Sequence, residues 1–358
     1  MSIQQQIIEL FAQHLQALGF VVNIEKYNTH SKPFLELCKD IQTQPIHDLV
    51  RNKNKLFYEH PTYGTRSFQL LNVVAKMDYG CIYSSQWENN VEELYIKQSS
   101  FPLLKEVLLQ IMSYCVLEVY KFPWVIPKVN DIFFSKEFGN MFTMIPTKDS
   151  RIYKNYLEDH YNHSPCIEND IMIFEIVCQL ALYNYILEKE IGFNHRDLRT
   201  PNILMICPND NQKVVRQVID DHVIEIYAQN HALMVDFGNS CIPQTDTKVY
   251  TPSDQYVLDN TPKAGRDLFQ MLAYLYNEKF IRNGLTEKGR ALFHYFLQGS
   301  TRNWADFLLQ EKYSKAENFK VIYMMTFGFK FCSSQCSPFS LLEKISSAYP
   351  DLVKFEKL

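Results

Sequence analysis

Glycine is scarce in this chain: 11 among 358 residues, where average usage of roughly 7% would give about 25. Few positions therefore let a phosphate or a second backbone approach a bare Cα. No two glycines stand as G-x-G, which excludes the dinucleotide-binding turn that needs that spacing. The nearest approach to a Walker A loop runs from Gly284 to Ala291. There Arg290 and Ala291 occupy the places of the phosphate-binding lysine and the metal-binding hydroxyl. That stretch reads as a helix boundary instead.

Paired cysteines are missing as well. The nine cysteines are scattered singly without a C-x-x-C pair, and Cys332 and Cys336 have no histidine or second pair nearby, which speaks against zinc. Reduced thiols fit a cytosolic or nuclear compartment, and a cytoplasmic location is the expectation. Charge of one sign is also lacking: 36 Lys and Arg face 40 Asp and Glu. That balance leaves no overall electrostatic footprint for nucleic acid or an anionic membrane. The small basic cluster Arg51, Lys53 and Lys55 reads as solvated surface. No basic region followed by an apolar run opens the chain, and the apolar stretch Ile171 to Leu187 is interrupted by Glu175, Gln179 and Asn184. Neither a signal peptide nor a membrane span is expected.

What is present is a hydrophobic content of 46%, which argues against disorder, and a length that predicts two domains or lobes. Ile7, Ile8, Phe11, Leu15 and Leu18 form a helical stripe near the start. Residues 20–65 are mixed, interrupted by Pro33, Pro45 and Pro61. Strand-like runs follow at Phe68–Val74, Cys81–Ser84 and Glu93–Ile96, then a helix over Phe101–Val119 and strands at Val125–Phe134 and Asn140–Ile145. Beyond about residue 150 the pattern is mostly helical, with short strands at Ile203–Met205, Val223–Tyr227 and Ala232–Val235. The expected fold class is α+β, a small β-rich lobe followed by a mainly helical one.

The chemistry is concentrated in Asn194-His195-Arg196-Asp197-Leu198-Arg199-Thr200-Pro201-Asn202 and, after an interval, Val235-Asp236-Phe237-Gly238. One aspartate five residues before an asparagine, with a second aspartate later at a strand end, can converge on a metal-bound triphosphate. His195 to Asn202 resembles the H-R-D-L-x-x-x-N catalytic loop of eukaryotic-type protein kinases, and Asp236-Phe237-Gly238 their D-F-G motif. Either motif alone is weak; both, in order and each beside a strand, make coincidence improbable. Leu94-Tyr95-Ile96-Lys97 is similar to the V-A-I-K position, and Ala75 to Ile82 to the Gly-rich loop, with only Gly80 retained. The resemblance covers roughly residues 67–275. Its degree of divergence is similar to that of kinases encoded by large DNA viruses, for which the location would be the host cytoplasm.

The resemblance implies a two-lobed protein-kinase-like fold, with residues 1–66 a partly helical N-terminal extension available to a partner. The N-lobe would span 67–146 and the C-lobe 147–358, with an insertion at about 206–230. It implies ATP and Mg²⁺ as cofactors and a protein substrate; the charge balance and the absence of an uninterrupted apolar run, read above, indicate no nucleic acid and no membrane as partners. Ala75, Gly80, Ile82, Lys97 and Leu204 would bind ATP, and Glu106 would pair with Lys97. Asp197 would orient the acceptor hydroxyl, Arg199 would touch the γ-phosphate, and Asn202 and Asp236 would hold the metal. His195 and Asp267, the latter in Gly265-Arg266-Asp267-Leu268-Phe269, would give structural support. Arg196 would be available to pair with a phosphorylated activation segment. Ser240, Thr245, Thr247, Tyr250 and Thr251 offer hydroxyls there.

The chain departs from the family pattern where Ala75 and Met77 replace glycines and where Tyr95 replaces a small residue over adenine. No A-P-E motif precedes Asp267. Three functions therefore stand open: a protein kinase acting on Ser/Thr, a small-molecule kinase of the aminoglycoside or choline type, and a non-catalytic kinase-fold scaffold. With Met77 and Asp78 ahead of Gly80, nucleotide handling should be weaker than a glycine-complete loop gives. Met77→Gly should tighten ATP binding in an equilibrium titration.

Overall fold

The computed structural model describes residues 2–23, 33–44, 46–52, 55–60, 64–77, 80–87, 93–100, 103–135, 139–144, 150–207, 214–243, 262–299, 302–310, 314–327 and 334–358. It divides into two compact units, Met1–Thr147 and Lys148–Leu358. The first is β-rich and the second mainly helical, an α+β chain.

Unit 1 begins with α1 (Ile3–Ala17), capped by Ser2, whose Oγ accepts from Gln5 N at 3.2 Å. The expected apolar stripe is buried: Ile7, Phe11 and Leu15 are fully covered. Pro33, read as a break, instead opens α2 (Pro33–Gln42), a position where its missing N–H costs nothing. Seven strands close a barrel in the order β1-β2-β3-β4-β5-β7-β6. They are β1 (His47–Asn52), β2 (Lys55–His60), β3 (Gly64–Met77), β4 (Gly80–Trp87), β5 (Glu93–Ser99), β6 (Val129–Ser135) and β7 (Gly139–Met144). Helix α3 (Leu104–Val119) lies between β5 and β6 in sequence. The barrel closes where β1 pairs parallel to β6, His47 with Phe133 and Asp48 with Phe134.

The barrel interior is filled by Leu56, Tyr58, Phe68, Ile96 and Phe133, with Leu70 and Tyr83 against them. Phe68 and Phe133 stack at 5.3 Å. Leu56 and Tyr58 alternate with Lys55, which is exposed, and Phe57, which is half-buried, the period-two signature of a one-sided strand. The expected boundary at residue 66 thus falls inside β3, and residues 47–60 are barrel wall rather than extension. Alternation over only a few residues between prolines is too short a signal to separate from mixed loop. Of the basic cluster, Lys55 is exposed on β2 and Arg51 lies on β1, while Lys53 falls outside the described residues.

Unit 2 is built around α5 (Ile167–Ile191), which contains the apolar stretch noted in the sequence. It is long and apolar enough to cross a membrane by length and composition, yet most of that span is buried inside the unit. Before it come β8 (Arg151–Ile152) and α4 (Tyr153–His160); after it β9 (Ile203–Ile206), β10 (Val214–Ile219), β11 (His222–Tyr227) and β12 (His231–Met234). The helices that follow are α6 (Arg266–Asn277), α7 (Lys279–Gly284), α8 (Glu287–Phe296), α9 (Trp304–Leu309), α10 (Lys315–Phe327) and α11 (Pro338–Ala348), with β13 (Val353–Lys357) last.

The Gly284 to Ala291 stretch is indeed a boundary: α7 ends at Gly284 and Thr286 caps α8 by accepting from Gly289 N. Buried Asp170 at the start of α5 ties this junction together, accepting from Thr286 N and Oγ and from Tyr349 OH. The expected insertion is a hairpin, β10–β11, joined by β13 into a three-stranded sheet. The mostly helical pattern beyond residue 150 predicts no strand at β13. Its pairing partner, His222–Ile226, lies far away in sequence, so no local pattern announces it.

Candidate active site

In unit 2 the site is assembled where α5 ends. Gly192 takes a left-handed φ of 62°, and a Cβ there would meet the Pro243 ring at 2.6 Å, so glycine is required to turn the chain. Asn194 then bridges to Cys241 through two backbone hydrogen bonds of 2.9 Å, and its side-chain Oδ1 accepts from Lys263 N at 2.6 Å. Next, the fully buried Asp267 in the first turn of α6 receives two backbone donors, His195 N at 2.6 Å and Arg196 N at 2.8 Å. Arg196 sits at φ 67°, a conformation unfavourable for any side chain bearing Cβ. The paired N–H bonds to Asp267 hold it there and so orient Asp197.

His195 joins this loop to the strand end that carries Asp236: its Nε2 donates to Val235 O at 3.0 Å, and its ring lies 5.2 Å from that of buried Phe237. Asn202 O accepts from Val235 N at 3.1 Å, a second tie. Ser240 offers a hydroxyl in the sequence, but it is fully buried and donates to His195 O at 3.3 Å. It is a brace rather than a modification site. Thr245, Thr247, Tyr250 and Thr251 lie outside the described residues.

These ties bring the reactive groups together. Asn202 Nδ2 donates to Asp197 O and Oδ2, both at 2.9 Å. Arg199 Nε lies 3.0 Å from Asp197 Oδ1, and the guanidinium sits 5.4 Å over the Phe319 ring. Burial pushes the Asp197 carboxyl up to about 6; Arg199 and the Asn202 amide pull it down, while Asp236 pushes it up. Asp236 is close enough to raise the Asp197 carboxyl, and the Asn202 amide turns its nitrogen to Asp197; carboxylate and amide oxygens are hard donors. That set suits Mg²⁺, which keeps several waters and needs few protein ligands. Asp236 itself has φ 68°, a strained setting of the kind found at functional sites. Leu204 on β9 is half-buried, alternating with buried Ile203 and Met205.

Several contributors were not singled out from sequence. Phe319 on α10 supports Arg199 and stacks on Tyr274 of α6 at 4.6 Å. Burial raises the Tyr323 phenol to about 12, with Asp197 adding to the shift, and raises Tyr274 likewise. Tyr274 follows Asp267 by seven residues, the same helix face, which is the one sequence signal that could have found it. Glu188 accepts from Gly265 N at 3.3 Å, and burial, with Asp267 nearby, raises its carboxyl to about 8.

In unit 1, Lys97 lies on β5, paired with Ile82 of β4 and Phe142 of β7. Its Nζ donates to Glu106 Oε1 at 2.5 Å, and the two residues are only 3% and 6% exposed. The nine-residue gap suffices because β5 ends at Ser99 and α3 begins at Leu104. Tyr95 shares the Lys97 face of β5 and is half-buried, while the intervening Ile96 enters the barrel core. Ala75 pairs with Ile82, and Met77 with Gly80, across the β3–β4 hairpin. Asp78 lies outside the described residues. A Cβ on Gly80 would fall 1.9 Å from Gln98 O. Strand packing therefore accounts for the one retained glycine without any phosphate.

No protein-family model matches the chain, and no curated protein sequence does. Among solved structures it is similar to the BubR1 kinase domain, at 14% identity over 96% of this chain and 93% of that one, with a TM-score of 0.41. It is likewise similar to vaccinia related kinase 3, at 12% identity over 89% of this chain and 95% of that one, with a TM-score of 0.42.

Proposed function

We propose that the chain is an ATP- and Mg²⁺-dependent protein kinase that transfers the γ-phosphate to serine or threonine hydroxyls. The observation that carries this reading is the loop in which Asp267 grips the backbone of His195 and Arg196, presenting Asp197 with Asn202 hydrogen-bonded to it. Phosphoryl transfer asks a protein mainly for positioning and charge neutralisation. Asp197, ionised above about pH 6, would accept a hydrogen bond from the acceptor hydroxyl and take its proton. Lys97, held by Glu106, would neutralise the α- and β-phosphates. Arg199 would exchange the Asp197 carboxylate for the γ-phosphate. Asn202 and Asp236 would hold the magnesium, whose charge offsets that of the phosphates.

The acceptor class is tested by incubating the protein with γ-labelled ATP, Mg²⁺ and mixed protein substrates, followed by phosphoamino-acid separation. Labelled phosphoserine and phosphothreonine are expected. Label confined to phosphotyrosine would contradict the residue preference. Label only on an added aminoglycoside or choline would replace the protein substrate with a small molecule.

A further inference from the structure

Away from the catalytic loop, unit 2 holds two adjoining cavities of about 650 and 340 Å³. Lys279, Arg282 and Asn283 of α7 line both. Tyr276, Arg290, His294 and Leu309 complete the smaller one, which has no carboxylate among its lining residues. The acids nearby are already engaged: Glu278 lies 2.6 Å from Lys315, and Asp306 lies 3.4 Å from His294.

The two guanidiniums are placed rather than loose. Arg282 donates through one terminal nitrogen to Tyr276 O at 2.8 Å and Asn277 O at 3.0 Å, the last carbonyls of α6. This anchors the fork and leaves other N–H groups for a ligand. Arg290 Nε is buried and meets no acceptor among the described residues, a costly state for an N–H donor. Both guanidiniums act on the Tyr276 phenol, opposing the rise that burial gives it, so both lie about the same ring.

We propose that the smaller cavity binds a phosphorylated small molecule, with Arg282 and Arg290 donating to the phosphate oxygens and Lys279 supplying further positive charge. Arg forks match phosphate geometry and bind it through charge-assisted hydrogen bonds. Three cations suit a phosphate monoester, which carries about −1.5 to −2, better than a single carboxylate. A cavity of this size sits at the small end of ligand pockets, which favours a sugar-phosphate-sized ligand over a peptide. The inference is independent of the phosphoryl-transfer reading.

The test is thermal unfolding of the full chain in EDTA, titrated with inorganic phosphate and with glucose 6-phosphate at constant ionic strength. A saturable rise in Tm is expected for both ligands. Arg290→Gln should weaken the apparent affinity at least tenfold, and Lys279→Gln, at an exposed position that keeps the variant foldable, several-fold. Lys97→Met combined with Glu106→Leu, which removes the buried pair of unit 1 as a whole, should leave the response unchanged. The proposal is overturned by any of three results: no saturable shift in the wild-type chain, variants at both Arg290 and Lys279 that titrate like it, or loss of the shift in the folded Lys97→Met, Glu106→Leu variant. A phosphoserine peptide that binds more tightly than glucose 6-phosphate would overturn the small-molecule assignment.

Discussion

At Asp197 burial and chemistry pull against each other. Its carboxyl is raised from 3.8 to about 6, chiefly by desolvation, so the folded chain holds that proton more tightly than the unfolded one. The resulting stabilisation is complete below pH 3.8 and is lost as the pH rises through about 6. At neutral pH the ionised group therefore opposes folding relative to a neutral isostere. Asp197→Asn should raise the unfolding free energy at pH 7.5 by about 1–3 kcal/mol, read by urea denaturation, while transfer is lost. Wild-type activity should fall as the pH drops below about 6, the acid limb of its pH–rate profile. The contacts Asn202–Asp197 and Lys97–Glu106 join residues close in the sequence, five and nine positions apart, so a short motif is enough to suggest them. Ser240 was legible only as a hydroxyl. Its burial depends on Cys241 pairing with Asn194, a contact between segments far apart in the chain. Phe319 escaped for the same reason.

Among the elements, α6 does for the loop what no local sequence could. Asp267→Ala would leave His195 N and Arg196 N buried without their acceptor, and unmet buried donors cost about 1–3 kcal/mol each. A loss of about 2–5 kcal/mol in unfolding free energy is expected, with a larger fall in kcat than in ATP affinity, since Asp197 loses its orientation first. On β5 and α3 the buried pair Lys97–Glu106 sets a different test. Lys97→Met should cost about 3–5 kcal/mol by stranding the glutamate, and Lys97→Met with Glu106→Leu should recover most of it; differential scanning calorimetry separates the two. The strand pattern over Phe68–Val74 and the helical one over Phe101–Val119 point to β3 and α3, whereas α5 shows in the sequence only as an apolar stretch. β1 and β2 were not legible, because their strand character is completed by closing the barrel onto β6. β13 was missed because it is defined by pairing with β11.

Over the whole molecule, the near balance of charge, net −4, gives a polyanion such as ATP no general attraction. On the proposed reading, affinity and turnover would rest on a few placed groups rather than on a general field: Lys97 in unit 1, and Arg199, Asn202 and Asp236 in unit 2. The scarcity of glycine fits this picture, since Gly80 is accounted for by the approach of the β5 backbone rather than by a phosphate. The most direct measurement is γ-phosphate transfer from labelled ATP at saturating Mg²⁺ in the wild-type chain, in Asp197→Asn and in Asp236→Asn. The account predicts measurable wild-type transfer and a fall of at least about 100-fold in both variants, from loss of a positioned acid–base group at Asp197 and of a metal-holding carboxylate at Asp236. Transfer that persists in either variant, or a wild-type chain that binds ATP without turning it over, would contradict it.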